Sequence, residues 1–249
     1  MLAKSFFQSP ITHRTLHDVT DGRPENSIAG AQTAIEQGYG IEIDLQLSKD
    51  GVPMVFHDYS LERLTHETGA VAQYTAAELS DIALKGGDEG IPTFEAFLDF
   101  VNGQVPLLVE IKDQDGALGP NVGVLAKATC ALMAHYKGDQ ALMSFNPHTV
   151  AKCAEYAPDI ARGLVTDPFL EKDWPFVPEQ RREELAGIPD YDRVGATFIS
   201  HNVSYLTGAN VARLKDQGAA VFCWTVRSAK QEKIARQVAQ NITFERYLA

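Results

Sequence analysis

The chain has 249 residues, 45% of them hydrophobic, which is enough to bury one large core. Its formal net charge of −11, from 22 basic and 33 acidic residues, excludes the basic footprint that nucleic acid requires and makes an acidic membrane surface a poor partner. A small anionic substrate stays open, because a few local cations or a metal ion can invert the local field.

Short apolar runs alternate with longer helical patterns, the signature of a parallel sheet wrapped in helices. Strands are predicted near 9–13, 39–46, 106–111, 139–144, 160–165, 195–199, 219–225 and 239–243, and helices near 27–37, 93–101, 120–136, 147–156, 209–217 and 228–238. Asn26 or Ser27 caps the first helix, Thr93 the second, and Asn146 stands before a proline that can open the next. One stretch breaks the alternation. Lys49-Asp50-Gly51 reads as a hairpin turn that leads into a second strand ending at His57. Residues 58–91 then form an insertion with a short helix near 75–80, and 166–194 a long loop with a helix near 179–186. The fold class expected is α/β, a TIM (β/α)8 barrel over 1–249 as a single unit, with an insertion at about 58–91 and a truncated C-terminal end.

The strand around Glu42-Ile43-Asp44 carries the first chemistry. Alternation turns Ile41, Ile43, Leu45 and Leu47 one way and Glu42 and Asp44 the other. Two acids on one face of a buried strand are costly unless a positive group lies between them, and a divalent cation with oxygen ligands answers that. Glu110, at the C-terminal end of the strand near 106–111, can add a third carboxylate, and Lys112 shares its face. His13 and Arg14 end the first strand, and His57 ends the hairpin. Histidine serves as general acid, general base or ligand, and arginine offers a planar fork suited to phosphate. Asp58 can orient His57 or cap the next turn, and Trp224 can wall a glycerol or simply pack the barrel.

In order, His13-Arg14, Pro24-Glu25-Asn26, Glu42-Ile43-Asp44, Lys49-Asp50-Gly51, His57-Asp58, Glu110-Ile111-Lys112 and Trp224-Thr225-Val226 resemble the glycerophosphodiester phosphodiesterases, as does Ser144-Phe145-Asn146-Pro147. The resemblance implies hydrolysis of a glycerophosphodiester to glycerol 3-phosphate and an alcohol. It implies His13 and His57 as the acid–base pair and Glu42, Asp44 and Glu110 as ligands to one divalent cation, Mg2+ or Ca2+, with Mn2+ also suitable. Arg14, Lys112 and Trp224 would bind substrate. The attacking oxygen is either water's or the substrate's own neighbouring hydroxyl. Two departures stand out: Thr15 replaces the family glycine after His-Arg, and Asn241–Ala249 replaces the family's acidic ending.

Two rival readings remain. One is a related barrel phosphodiesterase acting on intact phospholipids or lysophospholipids. An exposed apolar rim on 58–91 or 166–194 would favour it, and both segments read as polar. The other is a phosphodiester-binding barrel without turnover, which the complete set of site residues argues against. Cys130, Cys153 and Cys223 are odd in number and far apart, and the N-terminus lacks a signal-like apolar run. A cytoplasmic protein without membrane insertion is therefore expected, and oligomeric state is not readable.

Overall fold

A computed structural model describes residues 1–249. Nine strands form one sheet, in the order β1-β9-β8-β7-β6-β5-β4-β2-β3, with a further β1–β2 pairing. They are β1 (Ile11–Thr12), β2 (Gly40–Leu47), β3 (Pro53–Val55), β4 (Leu107–Ile111), β5 (Gln140–Ser144), β6 (Ala161–Thr166), β7 (Phe198–Asn202), β8 (Ala220–Val226) and β9 (Asn241–Phe244). All but β3 close into a parallel barrel, and β3 pairs antiparallel with β2 as the predicted hairpin. The helices are α1 (Ile28–Glu36), α2 (Ala76–Asp81), α3 (Phe94–Val101), α4 (Val124–Met133), α5 (Pro147–Tyr156), α6 (Glu179–Ala186), α7 (Ala209–Asp216) and α8 (Ala229–Ala235). No helix is long and apolar enough to cross a membrane.

Local chemistry explains the helix starts. Ser27 caps α1 by accepting from Gly30 N at 3.0 Å, and Thr93 caps α3 by accepting from Ala96 N at 3.2 Å. Along α3, Phe94, Phe97, Leu98 and Val101 recur at helical spacing and are all buried. Each such phenylalanine contributes about 1.5–3 kcal/mol of burial.

Two apolar layers set the height of the site. The larger lies between strands and helices and includes Ile41, Ile43, Leu45, Val109 and Ile111. The smaller fills the barrel interior with Leu108, Met143, Val165, Phe198 and Phe222, and Phe6 plugs it from below. Gly163 is part of this design: a Cβ there would lie 2.4 Å from the Phe198 ring, so only glycine lets that ring cross the barrel. The polar groups are therefore held at the C-terminal ends of the strands, where barrel sites form.

The insertion at 58–91 has its own small core of Met54, Phe56, Leu61, Val71, Leu79, Leu84 and Ile91. No helix lies between β9 and residue 249.

Candidate active site

Strand register brings the acids together. Asp44 pairs with Glu110 across β2 and β4, and Glu42 lies one alternate position below on the same face. Ligand atoms of Glu42, Asp44 and Glu110 lie within 4.8 Å of one another, and all three residues are buried. Lys112 Nζ bridges them, 2.7 Å from Asp44 Oδ1 and 2.6 Å from Glu110 Oε1. Arg14 Nε is 3.4 Å from Asp44 Oδ2, and its NH1 donates to Glu25 Oε1 at 2.8 Å. Asn26 completes the shell: its Nδ2 donates to Asp44 Oδ2 at 3.0 Å, and its Oδ1 accepts from Asp44 N at 3.2 Å.

This packing divides the carboxyls. Burial, together with Asp44 and Glu110, holds Glu42 well above the usual carboxyl range. Burial alone would raise Asp44 as well, but Lys112, His57 and Arg14 hold it well below that range. Lys112 is buried, yet Asp44 and Glu110 raise it above its usual value. Three acids facing two cations leave the cluster short of positive charge, and Glu42 bears the consequence.

Both histidines line one pocket of about 380 Å³, together with Arg14, Lys112 and the three acids. Trp224, Phe145, Ser200 and Thr243 complete its lining. Each histidine has one ring nitrogen committed to a carboxylate. His57 Nδ1 is 2.6 Å from Asp58 Oδ1, and Asp58 is held in turn by Arg63. His13 Nδ1 is 2.6 Å from Glu245 Oε2. Burial lowers His13 to about 4, against the opposing pull of Glu245.

Residues 15–243 match the glycerophosphoryl diester phosphodiesterase family. The chain belongs to this family. A glycerophosphodiester phosphodiesterase of Caldanaerobacter subterraneus subsp. tengcongensis is 32% identical over 228 residues, which is 88% of this chain and 86% of that one. The fold is shared with an Oleispira antarctica phosphodiesterase solved in complex with the product sn-glycerol-3-phosphate. That structure has a TM-score of 0.78 at 23% identity, covering 98% of this chain and 95% of the other. A Parabacteroides distasonis glycerophosphodiester phosphodiesterase has a TM-score of 0.75 at 24% identity, covering 94% and 91%.

Against the family pattern, two expectations change. The C-terminal stretch does not lack its acid: Glu245 directly follows β9 and is the partner of His13. His17 Nε2 lies 3.4 Å from the same Glu245 oxygen, and Arg227 donates to the other oxygen at 2.7 Å. Ligand atoms of His13, His17 and Glu245 also lie within 4.8 Å of one another. The turn at Thr15 has a left-handed backbone. Arg14 and Thr15 take φ of 52° and 71°, the left-handed region that glycine enters freely. Thr15 keeps that turn because its N–H donates to Glu42 O at 3.1 Å, while Arg14 N donates to Glu42 Oε2 at 2.8 Å.

Sequence reasoning also missed Asn26 as a partner of Asp44, and Ser200 and Thr243, whose buried hydroxyls have no partner at the pocket floor. For Asn26 a signal existed in the Pro24-Glu25-Asn26 motif. Ser200 and Thr243 carry none, since serine and threonine are common on strands.

Proposed function

We propose that the protein hydrolyses glycerophosphodiesters to glycerol 3-phosphate and an alcohol with one divalent cation, and that His13 and His57 move the protons. The observation that carries this reading is the convergence of Glu42, Asp44 and Glu110 with both histidines on one pocket.

The donor set fits a divalent cation. It is all oxygen and it is buried, and burial together with the neighbouring Asp44 and Glu110 pushes Glu42 up. Glu42, Asp44 and Glu110 would hold the ion, and Mg2+, Ca2+ and Mn2+ all suit such ligands. When bound, the ion supplies charge stabilisation to the phosphoryl oxygens.

The chain's own residues perform the rest. Arg14 and Lys112 face the phosphate and stabilise the charge that grows on it. Arg14 is held in place by Glu25, so its fork is positioned before substrate arrives. His13 is held neutral, with Nδ1 directed to Glu245, and takes the proton of the attacking hydroxyl at Nε2. His57, with Nδ1 directed to Asp58, gives a proton to the departing alkoxide. Trp224 and Phe145 form the wall against which the glycerol carbons rest.

The test is product identification by phosphorus NMR with glycerophosphocholine as substrate. Glycerol 3-phosphate and free choline are expected in equal amounts. His13→Ala and His57→Ala are each expected to lower kcat about 100- to 10,000-fold. Full activity in either variant contradicts the proton-transfer roles.

A further inference from the structure

Two hydroxyls at the floor of the catalytic pocket are buried and unpaired. Ser200 on β7 is 0% exposed and Thr243 on β9 is 1% exposed, and neither hydroxyl has a hydrogen-bonding partner. Other buried hydroxyls on the barrel strands do have one. Thr12 Oγ1 donates to Gly40 O at 3.0 Å, Ser144 Oγ donates to Ile111 O at 2.7 Å, and Thr166 Oγ1 lies 2.7 Å from His201 Nδ1. A buried hydroxyl without a partner is a cost that native structures mostly avoid. Both unpaired strand hydroxyls line the pocket that holds the acids and the histidines.

Their strands are fixed in place. Ser200 pairs with Phe222 across β7 and β8, and Trp224 Nε1 donates to Ser200 O at 3.1 Å, which ties the indole to the strand that carries Ser200. Thr243 pairs with Ile11 across β9 and β1. Asn241, two residues before it on the same face, donates to Phe6 O at 2.7 Å and Ser9 O at 2.8 Å, so β9 cannot slide to give Thr243 another partner.

The pocket is divided by charge. Its acids, its two cations and both histidines come from the ends of β1, β2, β3 and β4. The remaining strands contribute only neutral groups: Met143, Phe145, Val165, Ser200, Trp224 and Thr243. A phosphodiester belongs to the charged half. The neutral half offers apolar walls and two free hydroxyls, a surface suited to a small polyol. A hydroxyl both donates and accepts, so each of the two side chains can complete a bond with a hydroxyl of the substrate.

The surroundings also separate the two alcohols of a diester. A groove of about 1100 Å³ opens from the pocket and shares His57, Glu110, Lys112, Phe145 and Trp224 with it. Along the groove Trp224, Phe145 and Trp174 form an aromatic ladder, with ring centroids 5.5 and 4.9 Å apart, that leads to the exposed Phe176. Trp174 and Phe176 belong to the 166–194 loop, which reads as polar in sequence. His13, Ser200 and Thr243 line the smaller pocket and not the groove. The open side, with His57, releases the departing alcohol. The closed side, with the two hydroxyls, keeps the alcohol that stays on phosphorus.

We propose that Ser200 and Thr243 hold the hydroxyls of that retained alcohol, and so select a glycerol with a free terminal hydroxyl, on the carbon farthest from phosphorus, over an alcohol that lacks it. The inference rests on the phosphodiesterase reading and deepens it by naming the side chains that recognise the retained group. An alcohol without that hydroxyl leaves a floor hydroxyl buried and unpaired in the complex, and glycerol does not.

The test compares kcat/KM for glycerophosphocholine with that for the analogue whose terminal CH2OH is replaced by CH3. The analogue keeps the phosphodiester, the choline and the neighbouring hydroxyl. The wild type is expected to prefer glycerophosphocholine by about 10- to 100-fold. In the double variant Ser200→Ala, Thr243→Val that preference is expected to fall to about twofold or less. Both replacements are close in shape to the original side chains, and loss of an unpaired buried hydroxyl is expected to leave the urea midpoint equal or higher. Calorimetry supplies a readout without turnover. Glycerol 3-phosphate is expected to bind the wild type more tightly than propane-1,2-diol 1-phosphate does, and the double variant about equally. A preference that survives in the double variant, with glycerophosphocholine still hydrolysed, overturns the assignment and leaves the phosphodiesterase reading intact. Equal slowing of both substrates, the result of a purely structural role, also overturns it. If neither substrate is hydrolysed, the phosphodiesterase reading falls. The calorimetric comparison then decides the floor alone, and equal affinities of the wild type for the two phosphates overturn it.

Discussion

Glu245 meets His13 at 2.6 Å across 232 positions of sequence, where the last strand of the barrel closes on the first. The β1–β9 register pairs Thr12 with Phe244, and so sets residues 13 and 245 side by side just beyond the strands. Burial lowers His13 while Glu245 raises it, so the carboxylate sets both the tautomer and the basicity of the ring. Glu245→Gln keeps a hydrogen-bond acceptor but removes the charge. It is expected to lower kcat by about tenfold or more with little change in KM. The acidic limb of the rate profile, which reports protonation of the base, is expected to move to lower pH, because the group that raises His13 is gone. A merely structural Glu245 would leave that limb in place.

Thr15 and Gly30 form a packed pair. A Cβ on Gly30 would lie 2.2 Å from Thr15 Oγ1, and that hydroxyl is buried without a partner. Gly30→Ala alone is expected to destabilise by about 1–3 kcal/mol through overpacking, despite alanine's better helix propensity. Thr15→Gly is expected to stabilise by about 0.5–1 kcal/mol, because relief of the left-handed β-branched residue outweighs the added flexibility of the unfolded chain. In the double variant the alanine is expected to become neutral or better, a coupling of at least about 1 kcal/mol. Urea melts of the four proteins measure the cycle, and additive effects would contradict the contact.

His201 gives the fold a pH dependence remote from the acids. It is buried on β7 with Nδ1 2.7 Å from Thr166 Oγ1, and burial lowers it to about 4. The folded state therefore refuses a proton that the unfolded state accepts near 6.5. Its contribution is intact above that value, falls as pH drops from about 6.5 to about 4, and then levels. Between pH 7 and 5 the wild type is expected to lose about 2 kcal/mol more than His201→Gln, measured by denaturant melts at both pH values. Equal losses would remove His201 as the cause.

Much of the barrel is legible because its signals are local. Alternation around Glu42 and Asp44 assigns their face, and the Asp50-Gly51 turn marks the hairpin that delivers His57. Helix α6 is legible at both ends, even though its surface is almost wholly polar. What stays hidden depends on pairings between distant strands or on loop packing. Glu245 belongs to the site because of barrel closure, and no spacing within 241–249 announces it. Phe176 sits in a stretch of prolines and charges whose average polarity conceals an aromatic ladder. The ladder exists only once Phe145 and Trp224 arrive from two other strand ends. Thr15 was readable as a departure from the family glycine, yet its left-handed backbone depends on bonds to Glu42, a strand away.

The most direct test of the acid cluster is glycerol 3-phosphate release from glycerophosphocholine by chelator-treated protein, with Mg2+, Ca2+ or Mn2+ titrated back. The wild type is expected to lose activity on chelation and recover it saturably with at least one of these ions. Asp44→Asn is expected to fall about 100-fold or more and to need higher ion concentrations. Full activity after thorough chelation, or an Asp44→Asn protein that responds to the ion as the wild type does, would contradict the role given to Glu42, Asp44 and Glu110.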